Sequence, residues 1–392
     1  MRQVDRCWMP MAVGLILLAV LTSEGAETEE GFVPLFNGRN LSGWVTEGPC
    51  KFIVKGSEIY CPGVGNYPSW LRSEESFENV VIRFEFRMFL YGEGGLFLHA
   101  PKHGRNNRVG FEVQLSDEIR NRQPSLISTG AIFDAVPPKV QAARPLGEWN
   151  DVEVRFDWPQ LQVTLNGVLV QDLDVERNPE LKHRLRSGYL GWQDRGKAYS
   201  IRNARVKRLP DRDTTVSIFN GKDLSGWKVL EGGGSASFLV DEGSIVARNG
   251  NGYLISDKEY QDYDLFCYVK TSHPASNGGI FLRWKSLVPK DRGYEIQIED
   301  IPDSNNPTGS IYDWSKATGL LPTSEGEWYP MQIHLRGSNC VVRVNGVTVA
   351  SADDLPLIRS GPVALQMHSS NKTIWFKDIR IRELPTASPE EK

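Results

Sequence analysis

The sequence predicts an all-β protein made of two tandem sandwiches, each a two-sheet sandwich or jelly roll. Three observations carry this. A set of motifs is written twice in the same order, alternating apolar segments fill both copies, and no convincing amphipathic helix interrupts either one.

The duplication begins with LFNGRNLSGW at 35–44, which returns as IFNGKDLSGW at 218–227, an offset of 183 residues. GGLFL (94–98) meets GGIFL (278–282), GFEVQLSD (110–117) meets GYEIQIED (293–300), and TGAIFD (129–134) meets TGSIYD (308–313). GEW, NGV and a closing RNARVKRL/KDIRIREL follow in register. So long a period does not fit a solenoid, whose units run to about 20–50 residues. Each copy is long enough to bury a core of its own.

Before the first copy, MRQVDR supplies two arginines and Met11–Leu21 is an apolar run followed by Ser23, Gly25 and Ala26. The expectation is a signal peptide over 1–26, cleaved near Gly25 or Ala26. The run is short for a membrane span, which predicts an exported periplasmic or extracellular protein with no integral span after cleavage. The first sandwich is then expected over 27–210 and the second over 211–392, joined by the polar LPDRDTTV (209–216) and ending in a short disordered tail.

The strands are read from alternation: VVIRFEFRMF (80–89), LQVTLNGVLV (161–170), YDLFCYVKT (263–271), CVVRVNGVTVA (340–350) and TIWFKDIRI (373–381). NG, GG and KG dipeptides punctuate them. Export permits disulfides. If Lys55-Gly56 is a two-residue turn, Cys50 and Cys61 face each other across a hairpin, with buried free thiols as the alternative. The same alternative applies to Cys267 and Cys340. No C-x-x-C or H-E-x-x-H spacing marks a zinc site. With 45 Lys and Arg against 49 Asp and Glu, a net charge of −4 and no basic stripe, the chain lacks a nucleic-acid footprint. Trp44 and Trp227 close the repeated decapeptide and are expected to plug one end of each sandwich.

Period-2 alternation sorts the central strands. Phe111, Val113 and Leu115 point one way and Gly110, Glu112 and Gln114 the other; Tyr294, Ile296 and Ile298 oppose Gly293, Glu295 and Gln297. One face is apolar. The other carries a carboxylate and an amide two residues apart, with Asp117 and Asp300 near the strand ends. A Glu-x-Gln-x-x-Asp pattern kept in both copies points to a ligand face.

The ordered motifs, LFNGxxLxGW, a GG strand, G-Y-E-x-Q-x-x-D, T-G-x-I-Y, G-E-W and L-Q-x-H before R-x-I-x-I-R-E-L, resemble the bacterial 3-keto-disaccharide hydrolase domain family, also described as 3-keto-glucoside lyase/hydratase. The resemblance covers nearly all of both copies. It implies a concanavalin- or LamG-like jelly roll and action on glycosides oxidised at C3. A C3 ketone acidifies the C2 proton, so a base can drive elimination of the group on C1, and water then adds back. Glu295 and His368 are the candidate bases, Tyr312 the candidate acid, and Arg283 and Gln297 the candidate enolate stabilisers. Asp300, Glu112, Gln114, Asp117 and Arg195 are further substrate-binding candidates. A divalent metal is a further option, with Glu295, Asp300 and His368 as oxygen and nitrogen ligands.

The copies differ at three points. The second has Arg283, Tyr312 and His368 where the first has His99, Phe133 and Arg195. The family pattern prefers the former set, so the second copy is expected to be the catalytic one. Met367 and Ser369 flank His368 where the family commonly has Asp and Gly. His103, His183, His273 and His334 are read as surface or loop residues. The rival readings are a tandem carbohydrate-binding protein without turnover and an adhesion module that binds protein.

Overall fold

The computed structural model describes residues 30–386, apart from 66–68, 90, 117–122, 273–274, 289–292, 300, 302–303, 320–325 and 357. The expected signal segment, Asp117, Asp300, His273 and the tail from 387 lie outside the described residues. Nearly all regular structure is β. In the first copy an eight-stranded antiparallel sheet runs Val168–Asp174, Gln160–Leu165, Asn150–Asp157, Val80–Met88, Tyr199–Arg208, Glu58–Cys61, Ile53–Lys55, with Val33–Pro34 paired onto Tyr199–Arg208. A five-stranded sheet faces it, in the order Trp44–Glu47, Trp70–Phe77, Gly188–Gln193, Glu93–Ala100, Phe111–Ser116. Alternation explains the fit: Ile82, Phe84 and Phe86 point into the gap, and so do Leu96, Leu98, Val113 and Leu115 from the other side.

The second copy repeats this arrangement with one change. Ser244–Tyr260 and Gly361–Glu383 are long strands that run through both layers, so all its strands form one continuous eleven-stranded sheet. In the first copy the corresponding paths break into Glu58–Cys61 and Trp70–Phe77, and into Gly188–Gln193 and Tyr199–Arg208. The long pair shifts register between Arg248 and Gly250, where Asn249 and Gly250 take left-handed φ values of 59° and 124°. Each copy has its own hydrophobic core, one drawn from Phe36 to Val206 and the other from Phe219 to Ile381.

The repeated decapeptide closes on itself identically in both copies. Trp44 Nε1 donates to Leu35 O and Trp227 Nε1 to Ile218 O, each at 2.7 Å. Asn37 Oδ1 accepts from the Arg39 and Asn40 amides, and Asn220 Oδ1 from those of Lys222 and Asp223. The matching NGV turns, at Asn166-Gly167 and Asn345-Gly346, have two positive φ angles, the type I′ hairpin geometry.

The hairpin around Gly56 differs from expectation. Lys55 pairs with Glu58 and Ile53 with Tyr60, so the turn sits at Gly56-Ser57. That shift sets Cys61 opposite Phe52 rather than Cys50. Cys50, Cys61, Cys267 and Cys340 are all buried free thiols. Burial lifts the Cys50 thiol to about 11. No helix among the described residues is long and apolar enough to cross a membrane.

The two domains are bolted together. Val109 and Leu185 of the first meet Phe266, Tyr268 and Trp328 of the second. Arg343, buried, donates to His183 O (2.8 Å) and Arg108 O (3.0 Å) across the junction. A Cβ on Gly346 would lie 2.5 Å from the Arg108 carbonyl carbon, whereas one on its counterpart Gly167 would meet nothing within 4 Å. His183 and His334, read as surface or loop residues, lie here with ring centroids 4.7 Å apart, His183 in a turn and His334 on the strand Tyr329–Arg336. The connecting segment is pinned too, since Glu78 accepts from the Arg212 and Asp213 amides at 2.9 Å each.

Candidate functional site

The candidate site is the outward face of the five-strand layer, present once in each copy. It is built on the strands Phe111–Ser116 and Tyr294–Glu299. Phe111, Val113 and Leu115, like Tyr294, Ile296 and Ile298, belong to the cores. Glu112, Gln114, Glu295 and Gln297 therefore face the other way. The neighbouring strand brings a glycine to each carboxylate. A Cβ on Gly95 would come within 2.2 Å of Glu112 Oε1, and one on Gly279 within 2.9 Å of Glu295 Oε1. The GG motif thus lets the glutamate lie over the adjacent strand.

Register supplies the rest. Gly279 pairs with Gln297 on one side and with Gln366 on the other, and Gln366 pairs with Tyr253. Phe281 and Ala364 continue the row beside Glu295. In the first copy Gln193 pairs with Trp70, and Phe97 pairs with Glu112. Each face therefore carries one Glu, two Gln and two aromatic rings: Trp70 and Phe97, edge to face at 5.6 Å, or Tyr253 and Phe281, also at 5.6 Å. Gln193, Gln366, Trp70 and Tyr253 were missed by sequence reasoning. WQDR and LQMH carry those glutamines two residues before Arg195 and His368, the spacing of residues on one strand face.

The two glutamates differ in environment. Glu112 is 0 % exposed, and neither of its carboxylate oxygens has a hydrogen-bond partner. Burial pushes its carboxyl up to about 8, against the pull of nearby Asn107 and Arg195. Glu295 is only partly buried. In the second copy the amide oxygens of Gln297 and Gln366 are both buried without a partner, although Gln366 Nε2 donates to Tyr253 Oη at 3.1 Å. Gln114 Oε1 is an orphan in the same way. Tyr312 stands beside Glu295, its amide donating to Glu295 O at 2.9 Å, and is 40 % exposed next to Trp314 at 51 %.

Arg283 requires a correction. It is fully buried and off this face. Its φ of 49° breaks the alternation after Leu282 and turns the side chain inward. There it donates to Gln261 O (2.6 Å), Gly337 O (2.8 Å), Ile358 O (2.8 Å) and Asp262 Oδ1 (2.7 Å). His99 does the same in the first copy, with φ 51°, its ring stacked on Phe156 and its nitrogens at Leu185 O and Glu78 O. Both residues anchor the fold. Gly293 also differs from expectation: a Cβ there would lie 2.4 Å from Leu282 O, so the glycine serves backbone approach rather than ligand room.

His368 is exposed on the same face as Gln366. From Glu295 it is two strands across and four residues along, about 16 Å between Cα positions from strand spacing and rise. The two proposed bases are thus not brought into contact. Its row holds Asn277 and Glu299, which bond each other at 3.0 Å. In the first copy the matching row holds Arg195, exposed, with Nε 3.6 Å from Glu93 Oε1. No group of three or more His, Cys, Asp or Glu side chains suited to a metal occurs among the described residues.

The sequence profile described as the 3-keto-alpha-glucoside-1,2-lyase-like domain matches residues 31–207 and again 214–382. The chain belongs to this family. Its two 3-keto-alpha-glucoside-1,2-lyase-like domains account for both sandwiches, and membership supports a carbohydrate-active role. No curated protein matches the chain in sequence. Among solved structures, two proteins of Parabacteroides distasonis ATCC 8503, each provisionally named a glycosyl hydrolase, are similar. One is 22 % identical over 46 % of this chain and 95 % of its own, with a TM-score of 0.41; the other is 21 % identical over 46 % and 84 %, with a TM-score of 0.38. The carbohydrate-binding module CBM66 of Bacillus subtilis is 14 % identical over 44 % of this chain and 99 % of its own, with a TM-score of 0.32.

Proposed function

We propose that this protein is an exported enzyme that cleaves 3-keto-glycosides on the outward face of its second domain. The observation that carries the reading is the pair of orphaned amide oxygens, Gln297 and Gln366, flanking Gly279 beside Glu295. Buried acceptors without donors cost free energy that a ligand's hydroxyl groups can recover. Tyr312, Trp314 and Trp284 offer rings at the margin, as sugar faces require. The apolar run at Met11–Leu21 supports export.

In this reading Glu295 takes the proton from C2 of the 3-keto sugar. The electron pair forms the C1–C2 double bond as the C1–O bond breaks, and Tyr312 protonates the departing oxygen. The Gln297 Nε2 group donates to the C3 oxygen while charge gathers there. Water then adds: its hydroxyl goes to C1, its other proton restores Tyr312, and Glu295 returns the proton to C2. His368, too far to share a proton with Glu295, contacts the leaving portion of the substrate.

A second reading has one observation in its favour. Glu112 has the raised, unpaired carboxyl expected of a working acid or base, which points to turnover in the first domain. The deciding experiment is turnover of a 3-keto-disaccharide by the full-length protein, with and without chelator. Glu295→Gln should lower the rate by about 10²–10⁴ without changing the melting temperature. Glu112→Gln should change it little. The reverse pattern places the chemistry in the first domain, and saturable sugar binding without turnover makes the protein a binding module.

A further inference from the structure

A cleft of about 380 Å³ opens where the domains meet, away from the second domain's outward face. Pro101, Lys102, His103 and Tyr189 wall it from the first domain, and Tyr268, Lys377 and Arg380 from the second. Its chemistry is cationic. Lys377 Nζ lies 3.0 Å from His103 Nε2, so two basic groups share one hydrogen bond. Aromatic rings hold the cations in place: Lys377 is 4.0 Å and Lys270 4.9 Å from the Trp328 ring centre, and Lys102 is 5.6 Å from that of Tyr189. The carboxylate lining the cleft, Asp378, is already engaged by Arg380 at 3.1 Å. Among the described residues neither Lys102, Lys270 nor Lys377 forms an ion pair.

We propose that this cleft binds an acidic saccharide, a sugar ring carrying a carboxylate or sulfate group. Lys102 from the first domain and Lys377 from the second both line the cleft and neither forms an ion pair among the described residues, so the two converge as an anion site. A bare inorganic ion would leave most of the space unfilled, because a cleft of this size falls within the range of small-molecule sites, about 300–1,000 Å³. Ser76 and Ser187 in its lining suit sugar hydroxyls. Burial, with the neighbouring lysines adding to it, holds the Lys377 ammonium down to about 8 against the pull of Asp378, and the His103 imidazole down to about 4. The inference does not depend on which domain performs turnover.

The test is calorimetric titration of the full-length protein with glucuronate, glucose 6-sulfate, glucose and sodium sulfate. Either acidic sugar should bind at least about tenfold more tightly than glucose, with the better of the two identifying the anionic group. Lys377→Met and Lys102→Gln should each weaken acidic-sugar binding several-fold and leave glucose binding unchanged. Lys102 is exposed, so Lys102→Gln keeps the test sound if Lys377→Met fails to fold. Binding near pH 8 should also take up protons, because an anion raises the Lys377 value. Equal binding of glucose and glucuronate overturns the proposal. So does parent-like glucuronate binding by Lys102→Gln, or sodium sulfate binding as tightly as glucose 6-sulfate.

Discussion

Glu112 and Glu295 occupy matching positions on matching strands, yet one is sealed and the other is partly open. Both lie over a glycine and beside a glutamine. In the first domain the face is closed over a carboxyl that no group satisfies. In the second it keeps exposed Tyr312 and Trp314 near it, with exposed His368 farther along the same face. Duplication thus preserved the strand pattern while access diverged. A raised carboxyl value is therefore an incomplete guide to where turnover occurs, because complete burial produces it as readily as catalysis requires it.

The Glu112→Gln and Glu295→Gln pair described above probes this difference with the largest expected effect. The next test separates anchoring from chemistry. Arg283→Met should destabilise the second domain by about 3–5 kcal/mol, because it removes the cation paired with the buried Asp262 carboxylate. Calorimetry would register that as a lower second-domain melting temperature. An unchanged melt with lost turnover would return Arg283 to the active face.

A smaller effect lies in the pH dependence of the first domain. The Glu112 carboxyl sits near 8 when folded and about 4.5 when unfolded, so the folded state binds the extra proton between these values. Stability must then fall as pH rises through that range. His99 works in the opposite sense below about pH 6.5, since its folded value is about 4. The clean window is therefore pH 6.5–8, with a loss of roughly 1.5 kcal/mol. Urea titrations should show this slope in the parent protein and not in Glu112→Gln. The smallest effect tests sameness. Asn37→Ala and Asn220→Ala each remove three exposed turn hydrogen bonds and should cost about 1 kcal/mol in their own domains. Markedly unequal losses would mean that the twin decapeptides bear different loads.

Much of this was readable from residue order. Alternation in VVIRFEFRM and the NG turns report local geometry, so strands and hairpins followed from them. The Glu and Gln face was equally legible, because period 2 assigns sides without knowledge of partners. Arg283 was misread because a left-handed residue just after the strand breaks that period, and nothing in GGIFLR announces it. The expected cysteine pairing fails because the turn slips by one residue, which moves each cross-strand partner by two. Gln366 and Tyr253 come together only through pairing of distant strands, and His183 and His334 only through docking of two domains. Such neighbours depend on long-range register, which a local pattern does not encode.

The two strands that run unbroken through the second sandwich have a consequence for how it breathes. Ser244–Tyr260 and Gly361–Glu383 share one hydrogen-bond ladder across both layers, so neither layer can lift away without tearing that ladder. Among the described residues the first sandwich has no such tie, for Glu58–Cys61 and Trp70–Phe77, and likewise Gly188–Gln193 and Tyr199–Arg208, are separate strands in different sheets. Amide hydrogens in the second domain should therefore exchange with solvent as one cooperative block, while the first can open layer by layer. The duplicated halves would then keep different time even where their residues match.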